Sequence, residues 1–272
     1  MRTASRLALF LLLAALSFAI AGPLVGMSGL GGITAFAMLG AVCAAGLLAT
    51  TWICIRATKS SWRAVGIELN RRRLLELAIG FLAGSVLFAV VLLAQGLMVG
   101  GSWQPGAKIS PVGVLAGLAV TLALLLSEEL LFRGYAFRQI ADTMGPRVAL
   151  IVSAIAFGAY HVVGSENWGM GALFTFAMPT LGGLVFGYAL LRSGSLALPI
   201  GLHWGGNWVQ SQVFGLGHLG ENSAALWTLP LSPGQIDWLR APDLVQHLPY
   251  VCVLGIAALV LWRLRFPAVK PG

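Results

Sequence analysis

Two adjacent glutamates and an arginine lie inside an otherwise apolar stretch of the chain. The segment TLALLLSEELLFR, residues 121–133, contains Glu128, Glu129 and Arg133. Its length and flanks are typical of a membrane span. Because one charged residue at the centre of a span costs about 2.5–3.5 kcal/mol, we expect these groups to have internal partners and a function. A carboxylate held there could act as a base or an acid in proton transfer.

Two further apolar segments carry polar residues that could join these carboxylates. His161 ends the segment FGAYH, and the segment HWGGN begins with His203 and ends with Asn207. Residues four apart lie on one face of a helix, so His203 and Asn207 are expected to face the same cavity. An imidazole and a carboxamide placed side by side suit a developing oxyanion. The alternative is that these residues only make hydrogen bonds between membrane helices.

Helical geometry separates the two glutamates. Neighbouring residues on a helix point about 100° apart, whereas residues four apart stack on one face, and an acid placed before a base is the favourable order. We therefore expect Glu129 to pair with Arg133, and Glu128 to point at a different neighbour. This makes Glu128 the candidate reacting carboxylate. A purely structural ion-pair network of the three residues is the alternative.

The composition excludes a soluble protein. Hydrophobic residues make up 58% of the 272 residues, charged residues only 10%, and the mean hydropathy is +0.88. These values predict one polytopic membrane domain over residues 1–272, with membrane lipid as its surroundings. The net charge of +8 comes from basic residues in loops and not from one basic face. No nucleic-acid partner is therefore expected.

Eight apolar runs are long enough to cross about 30 Å of hydrocarbon. The predicted fold is therefore an all-α transmembrane bundle of about eight helices with a polar cavity in the membrane. The fifth and eighth runs are short, and their ends are soft by several residues. The runs cover approximately residues 7–26, 31–55, 74–100, 112–132, 148–163, 169–191, 195–216 and 248–263.

Basic residues alternate between the loops, which predicts the orientation. Lys and Arg are retained on the cytoplasmic side of short loops. The loops on the opposite side hold only Lys108 and Arg240, and both termini are therefore predicted to be cytoplasmic. The basic residues assigned to the cytoplasmic side are Arg2, Arg6, Arg56, Lys59, Arg63, Arg71, Arg72, Arg73, Arg138, Arg147, Arg192, Arg263, Arg265 and Lys270.

Two segments near the N-terminus allow more than one interpretation. The sequence Ala19-Ile20-Ala21 after a short apolar run looks like a signal-peptide cleavage site. We predict a retained helix instead, because the apolar run continues through Gly26. The basic segment 56–73 could lie on the inner membrane surface as an amphipathic segment, or form a plain solvated loop.

The polar residues of three spans are predicted to lie at a similar depth. A helix rises about 1.5 Å per residue, so Glu128, His161 and His203 lie about 15, 21 and 16 Å from the nearest cytoplasmic arginine of their spans. The three helices can thus bring these side chains and Asn207 to one point inside the membrane. The three cysteines lie in apolar runs without CxxC spacing, and we interpret all of them as packing residues.

Three segments of the chain resemble a known family. EELLFRG, FGAYH and HWGGN are similar to the EExxxR, FxxxH and HxxxN motifs of the CAAX prenyl endopeptidase and bacteriocin-processing family of intramembrane proteases, which includes abortive-infection-like proteins. All three motifs occur in the family's order, within a protease-like core of about residues 112–216. The resemblance implies that Glu128 and His161 activate water, and that His203 and Asn207 stabilise the oxyanion. It also implies a membrane-associated or prenylated substrate. A eukaryotic CAAX enzyme and a bacterial protease would share this site, and we expect a bacterial plasma membrane.

The same residues allow other functions. Two histidines and a carboxylate form a known zinc set, which Glu128, His161 and His203 could supply. We favour a mechanism without a cofactor, because Asn207 is a poor zinc ligand and a natural oxyanion donor, and because no HExxH motif is present. An ion- or proton-coupled transporter is an alternative function, although no internal repeat pairs the two halves. An inactive, protease-like immunity scaffold is a third.

Overall fold

The computed structural model describes residues 3–163, 165, 167–216, 225–240 and 244–263, and most of these are helical. The predicted all-α class is confirmed. A 3₁₀ turn, Arg63–Val65, lies between α2 and α3, a π-helical turn, Val209–Val213, follows α8, and the two-residue strands β1 (Gln104–Pro105) and β2 (Trp227–Thr228) pair antiparallel. The α-helices are α1 (Thr3–Met27), α2 (Gly32–Thr58), α3 (Arg71–Met98), α4 (Pro111–Arg133), α5 (Tyr135–Met144), α6 (Pro146–Val162), α7 (Met170–Ser193), α8 (Ala197–Trp208), α9 (Pro233–Arg240) and α10 (Leu244–Arg263).

Six segments of the described chain are long and apolar enough to cross a membrane: α1, α2, α3, the continuous stretch of α4 and α5, α7 and α10. The chain is thus an integral membrane protein. Eight apolar runs were predicted, the fifth and eighth of them short, and in the structure the fifth and the seventh form the helices that are shorter than a full span. Helix α6 has only 17 residues, and α8 has 12 before its π-helical turn. Since α8 is enclosed mainly by other helices, it need not match the thickness of the lipid.

Helix α4 has well-defined ends, and these fix the position of its glutamates. Ser110 caps the N-terminus by accepting a hydrogen bond from the Gly113 amide, and Pro111 occupies the first turn, where its missing N–H is tolerated. The helix ends at Gly134, and α5 follows directly. A side chain at Gly134 would come within 2.4 Å of the Leu130 carbonyl oxygen, so glycine permits this junction. Helix α5 was not predicted by the sequence.

A seam of glycines joins α3 to α8. Gly80 and Gly84 on α3 face Gly201 and Gly205 on α8, with the four-residue spacing of close helix contacts in membranes. A Cβ atom at Gly205 would lie 2.0 Å from the carbonyl oxygen of Phe81, and one at Gly84 would lie 2.0 Å from that of Leu202. The two backbones therefore touch directly. This contact fixes the height and rotation of α8, which carries His203 and Asn207.

One end of the bundle, called the basic face, is held together by arginines. Arg73 at the start of α3 donates to the carbonyl of Ser193 at the end of α7, and Arg192 donates to the carbonyl of Leu261 near the end of α10. Arg138 on α5 reaches the carbonyl of Gly194. On this face Arg63, Glu68, Arg72, Arg73 and Glu76 form the basic-face cluster.

The opposite face of the bundle is joined by glutamines and by the small β-ribbon. Gln95, near the end of α3, donates to the carbonyl of Gln246 at the start of α10. Gln235 of α9 donates to the carbonyl of Val99, and β1 pairs with β2 nearby. The two faces thus differ in chemistry as well as in position.

The structure also bears on the remaining expectations from the sequence. Helix α1 runs unbroken through Ala21 to Met27. The part of segment 56–73 that lies between α2 and α3 contains a 3₁₀ turn, and Val65 inserts into the core, so it is not an amphipathic surface helix. Cys43 and Cys54 are buried, but Cys252 is exposed on α10, and its interpretation as a packing residue was wrong. Arg2, Arg265 and Lys270 lie outside the described residues.

Candidate active site

The predicted ion pair on α4 is present. Arg133 Nη1 donates to Glu129 Oε1 at 3.1 Å, and neither side chain is exposed. The i, i+4 spacing places both groups on the face of α4 that packs inside the bundle. Glu128, on the adjacent face, keeps 20% of its side-chain surface exposed. The two glutamates therefore occupy different surroundings, as helical geometry predicts.

His203 of α8 lies between the two glutamates. Its Nδ1 is 2.9 Å from Glu129 Oε1, and its Nε2 is 3.7 Å from Glu128 Oε2. Because Glu129 also accepts from Arg133, its carboxylate is an acceptor, and His203 Nδ1–H is the donor. The distance from Nε2 to Glu128 is longer than a hydrogen bond. Together, Glu128, Glu129, Arg133 and His203 form the site network.

Aromatic rings enclose the site network. Phe186 stacks on His203 with ring centroids 4.7 Å apart, and Phe157 meets the same imidazole edge-on at 5.8 Å. The Arg133 guanidinium lies 4.1 Å from the centroid of Phe157. A cation over an aromatic face is stabilised by the ring quadrupole, which partly offsets the loss of hydration in this buried position. Gly183 leaves room for the guanidinium, since a Cβ there would lie 3.0 Å from Arg133 Nη2.

A cavity of about 640 Å³ borders His203. His161 and Asn207 line the same cavity, and Gln210 lies one turn beyond Asn207. Cavities of this size are typical of sites for small molecules or peptide segments. Glu128 is not among the lining residues, and it lies 3.7 Å from Nε2 of the lining residue His203.

His161 lies at the end of α6, beside the same phenylalanine that contacts His203. Its Nδ1 is 2.8 Å from the carbonyl oxygen of Phe157, which makes this nitrogen the donor. The centroids of the His161 and Phe157 rings are 4.6 Å apart. The second nitrogen, Nε2, is then the one with a lone pair in the neutral ring.

The site residues identified in the sequence lie close together in the structure, but one contact between them was not predicted. From the sequence, Glu129 was expected to pair only with Arg133, and His203 was expected to face the cavity beside Asn207. In the structure Glu129 also holds His203. Such a contact depends on how α8 is rotated against α4, and motif spacing within one helix carries no information on it. The matching glycine spacing of α3 and α8 is the signal that could have placed α8.

The alternative zinc set of Glu128, His161 and His203 is not grouped as metal ligands in the described part of the chain. Within the described residues, no group of three or more His, Cys, Asp or Glu side chains is arranged to hold a metal ion. Of the candidate ligands, His203 has its Nδ1 bonded to Glu129 and its Nε2 near Glu128. These positions offer no geometric support for a metalloprotease.

Comparison with known families supports the resemblance. Residues 109–209 match the model of a family described as type II CAAX prenyl endopeptidase Rce1-like. This range includes α4 to α8, the site network, His161 and Asn207. Searches among curated proteins and among solved structures found no match. The resemblance found in the three motifs is confirmed, because residues 109–209 are similar to this family of CAAX-type endopeptidases.

Proposed function

We propose that the protein hydrolyses a peptide bond of a membrane-associated polypeptide, with Glu128 as the base and later as the acid. One observation carries the proposal. The His203 ring lies within 3.7 Å of both Glu128 and Glu129, and it borders a cavity that His161 and Asn207 also line. Peptide hydrolysis needs a base for water, donors for the tetrahedral oxyanion and an acid for the leaving amine.

In this proposal, Glu128 and His161 activate the attacking water, and His203 and Asn207 stabilise the oxyanion. Asn207 can donate from its carboxamide in any protonation state. His203 has its Nδ1–H committed to Glu129, so its Nε2 donates only when the ring carries a second proton. Glu129 bonds the Nδ1 side of that ring, and its charge compensates an imidazolium after Glu128 has taken the proton from water.

Glu129 and Arg133 act as positioning residues in this mechanism. Glu129 holds His203 in one tautomer and one orientation, as second carboxylates do in other acid–base sites. Arg133 keeps Glu129 ionised and is itself held against Phe157. The network thus fixes the direction in which Nε2 points.

The test is proteolysis by the purified protein over matched prenylated and unprenylated peptides. The variant Glu128→Gln should abolish turnover and leave peptide binding and the detergent melting temperature nearly unchanged, because the amide cannot accept the proton. Full activity in Glu128→Gln would remove the protease function from this site. Ion or proton flux in proteoliposomes without proteolysis would favour the transporter alternative.

Elemental analysis of the same preparation tests the metal-dependent alternative. We expect chelators to leave turnover unchanged at equilibrium. Stoichiometric zinc that disappears in His161→Ala or His203→Ala, with activity restored only by added metal, would replace the metal-free mechanism and make Glu128 a ligand.

A further inference from the structure

The cavity lies towards one end of the bundle. Its outer walls come from the second half of α3, the first half of α7, the start of α10 and the loop after α6, and its inner part includes Phe157, Phe186 and His203. On the cavity wall, α3 contributes Gln95, α7 contributes Thr175 and α10 contributes His247. In each helix, the basic face lies at the other end.

The distances along the helices are large. Gln95 is 22 residues beyond Arg73 on α3, which at about 1.5 Å per residue is about 33 Å. On the same rise, His247 is about 24 Å from Arg263 along α10. These lengths approach the hydrocarbon thickness of about 30 Å, so the outer part of the cavity is nearly a full membrane away from the basic face.

Packed side chains fill the bundle on the basic side of the site. Leu130 and Tyr135 from α4 and α5, together with Leu190 and Leu196 at the end of α7 and beyond, belong to one buried core cluster. Each of these four side chains is at most 2% exposed. A polypeptide coming from the basic face would have to displace this core, whereas the cavity already reaches Asn167 in the exposed loop after α6.

The lining of the cavity restricts the chemistry of its occupant. Among the described residues that line it, none is Asp, Glu, Lys or Arg. A charged side chain of a substrate would find no oppositely charged carboxylate or ammonium partner there, and burying it would be costly. Phe88, Phe174 and Met178 offer apolar surface, which fits a peptide segment with apolar side chains.

We propose that the cavity is entered from the extracytoplasmic side of the membrane, and that the substrate is an apolar polypeptide segment exposed in the outer half of the bilayer or beyond it. The inference rests on the proposed function, because it treats the occupant of the cavity as a substrate. The choice of the extracytoplasmic side rests on the retention of basic loops in the cytoplasm. Since Arg56, Arg63 and Arg73 crowd the face remote from the cavity, that face is the cytoplasmic one. A prenylated C-terminus in the cytoplasm would approach the opposite end of the molecule.

The test is cysteine accessibility with a membrane-impermeant maleimide on intact cells that express the full chain. In a background with Cys43, Cys54 and Cys252 replaced by Ala, three single-cysteine variants are compared: Met178→Cys on the cavity wall, Trp168→Cys in the loop beside it and Ser60→Cys in the basic segment. We expect the first two to be labelled on intact cells, and Ser60→Cys only after permeabilisation. Gel filtration in detergent checks that each variant is folded.

Labelling of Met178→Cys that needs permeabilisation, or its absence under both conditions, would overturn the inference. Labelling of Ser60→Cys on intact cells would overturn it as well. The readout needs no activity, so the two proposals fail separately. A chain that cleaves peptides in detergent while Met178→Cys is reached only from the cytoplasm keeps the protease function and loses the extracytoplasmic route.

Discussion

The basic-face cluster and the site network use the same residue types, but they differ in how completely their hydrogen bonds are satisfied. In the basic-face cluster, Arg73 Nη1 donates to both oxygens of Glu76 and to the Ser193 carbonyl, and Arg73 Nε donates to Glu68. In the site network, Glu129 Oε2, Arg133 Nε and Arg133 Nη2 have no hydrogen-bond partner within the described residues.

This difference indicates two roles for one kind of ion pair. The basic-face cluster joins helix ends, and the other donors of its arginines Arg63 and Arg72 are exposed to solvent. Buried polar atoms without partners are costly, and a native structure retains few of them without a function. The incomplete bonding of the site network therefore fits a functional arrangement that holds His203 in place at a cost in stability, whereas the basic-face cluster fits a structural clamp.

The largest expected effect comes from matched arginine substitutions in the two regions. Arg133→Leu leaves Glu129 without its cation in a fully buried position, and should lower the free energy of unfolding by about 3–5 kcal/mol, a typical cost of breaking a buried pair. Arg73→Leu should cost less, although Arg73 is also buried, because Glu68 keeps Arg63 as a partner and Glu76 keeps Arg72. Denaturant unfolding in mixed micelles measures both.

A double variant controls for the loss of packing in the first experiment. Glu129→Gln with Arg133→Leu removes the uncompensated carboxylate and should recover part of the lost stability. Equal stability of the single variant Arg133→Leu and the double variant would mean that the two side chains do not interact. Equal losses for Arg133→Leu and Arg73→Leu would remove the contrast between the two regions.

The next effect is on rate. Asn207→Ala should slow peptide cleavage by about 10²–10³-fold, the usual loss for one oxyanion donor, with little change in the melting temperature. Glu76→Gln in the basic-face cluster is the control, and its rate should match that of the unaltered protein. If Asn207→Ala cleaves at the normal rate, the donor must be another group on the cavity wall.

The smallest expected effect on stability comes from a substitution in the glycine seam between α3 and α8. Gly205→Ala places a methyl group against the Phe81 carbonyl, and should cost about 1–3 kcal/mol as α8 is pushed from α3. It should also slow cleavage, since His203 moves with α8, while the basic-face cluster stays intact. Gly255→Ala on α10 is the matched control, because nothing lies within 4 Å of its added Cβ. Equal stability of these two variants would contradict the close contact of α3 and α8.

Local patterns in the sequence predicted the pairs within one helix and the class of fold. The contact of Glu129 with Arg133 followed from four-residue spacing, and the family motifs identified His161, His203 and Asn207. The contact of Glu129 with His203 could not be predicted, because it joins residues 74 positions apart whose helices are oriented by a third helix. The short helix α8 was predicted too long, since apolar composition does not distinguish a helix surrounded by protein from one that faces lipid.

The glycine seam has a mechanical consequence for the cavity. With backbone against backbone, α3 and α8 have no room to slide, so Phe88 and Asn207 move together as parts of one rigid body. The facing wall is different, because α7 contains Pro179 and α10 contains Pro249, and each proline removes one hydrogen bond from its helix. Widening of the cavity is therefore expected by bending of α7 and α10, and replacing both prolines by alanine should stiffen that wall and slow turnover. Unchanged turnover in a folded double variant would place the moving part elsewhere.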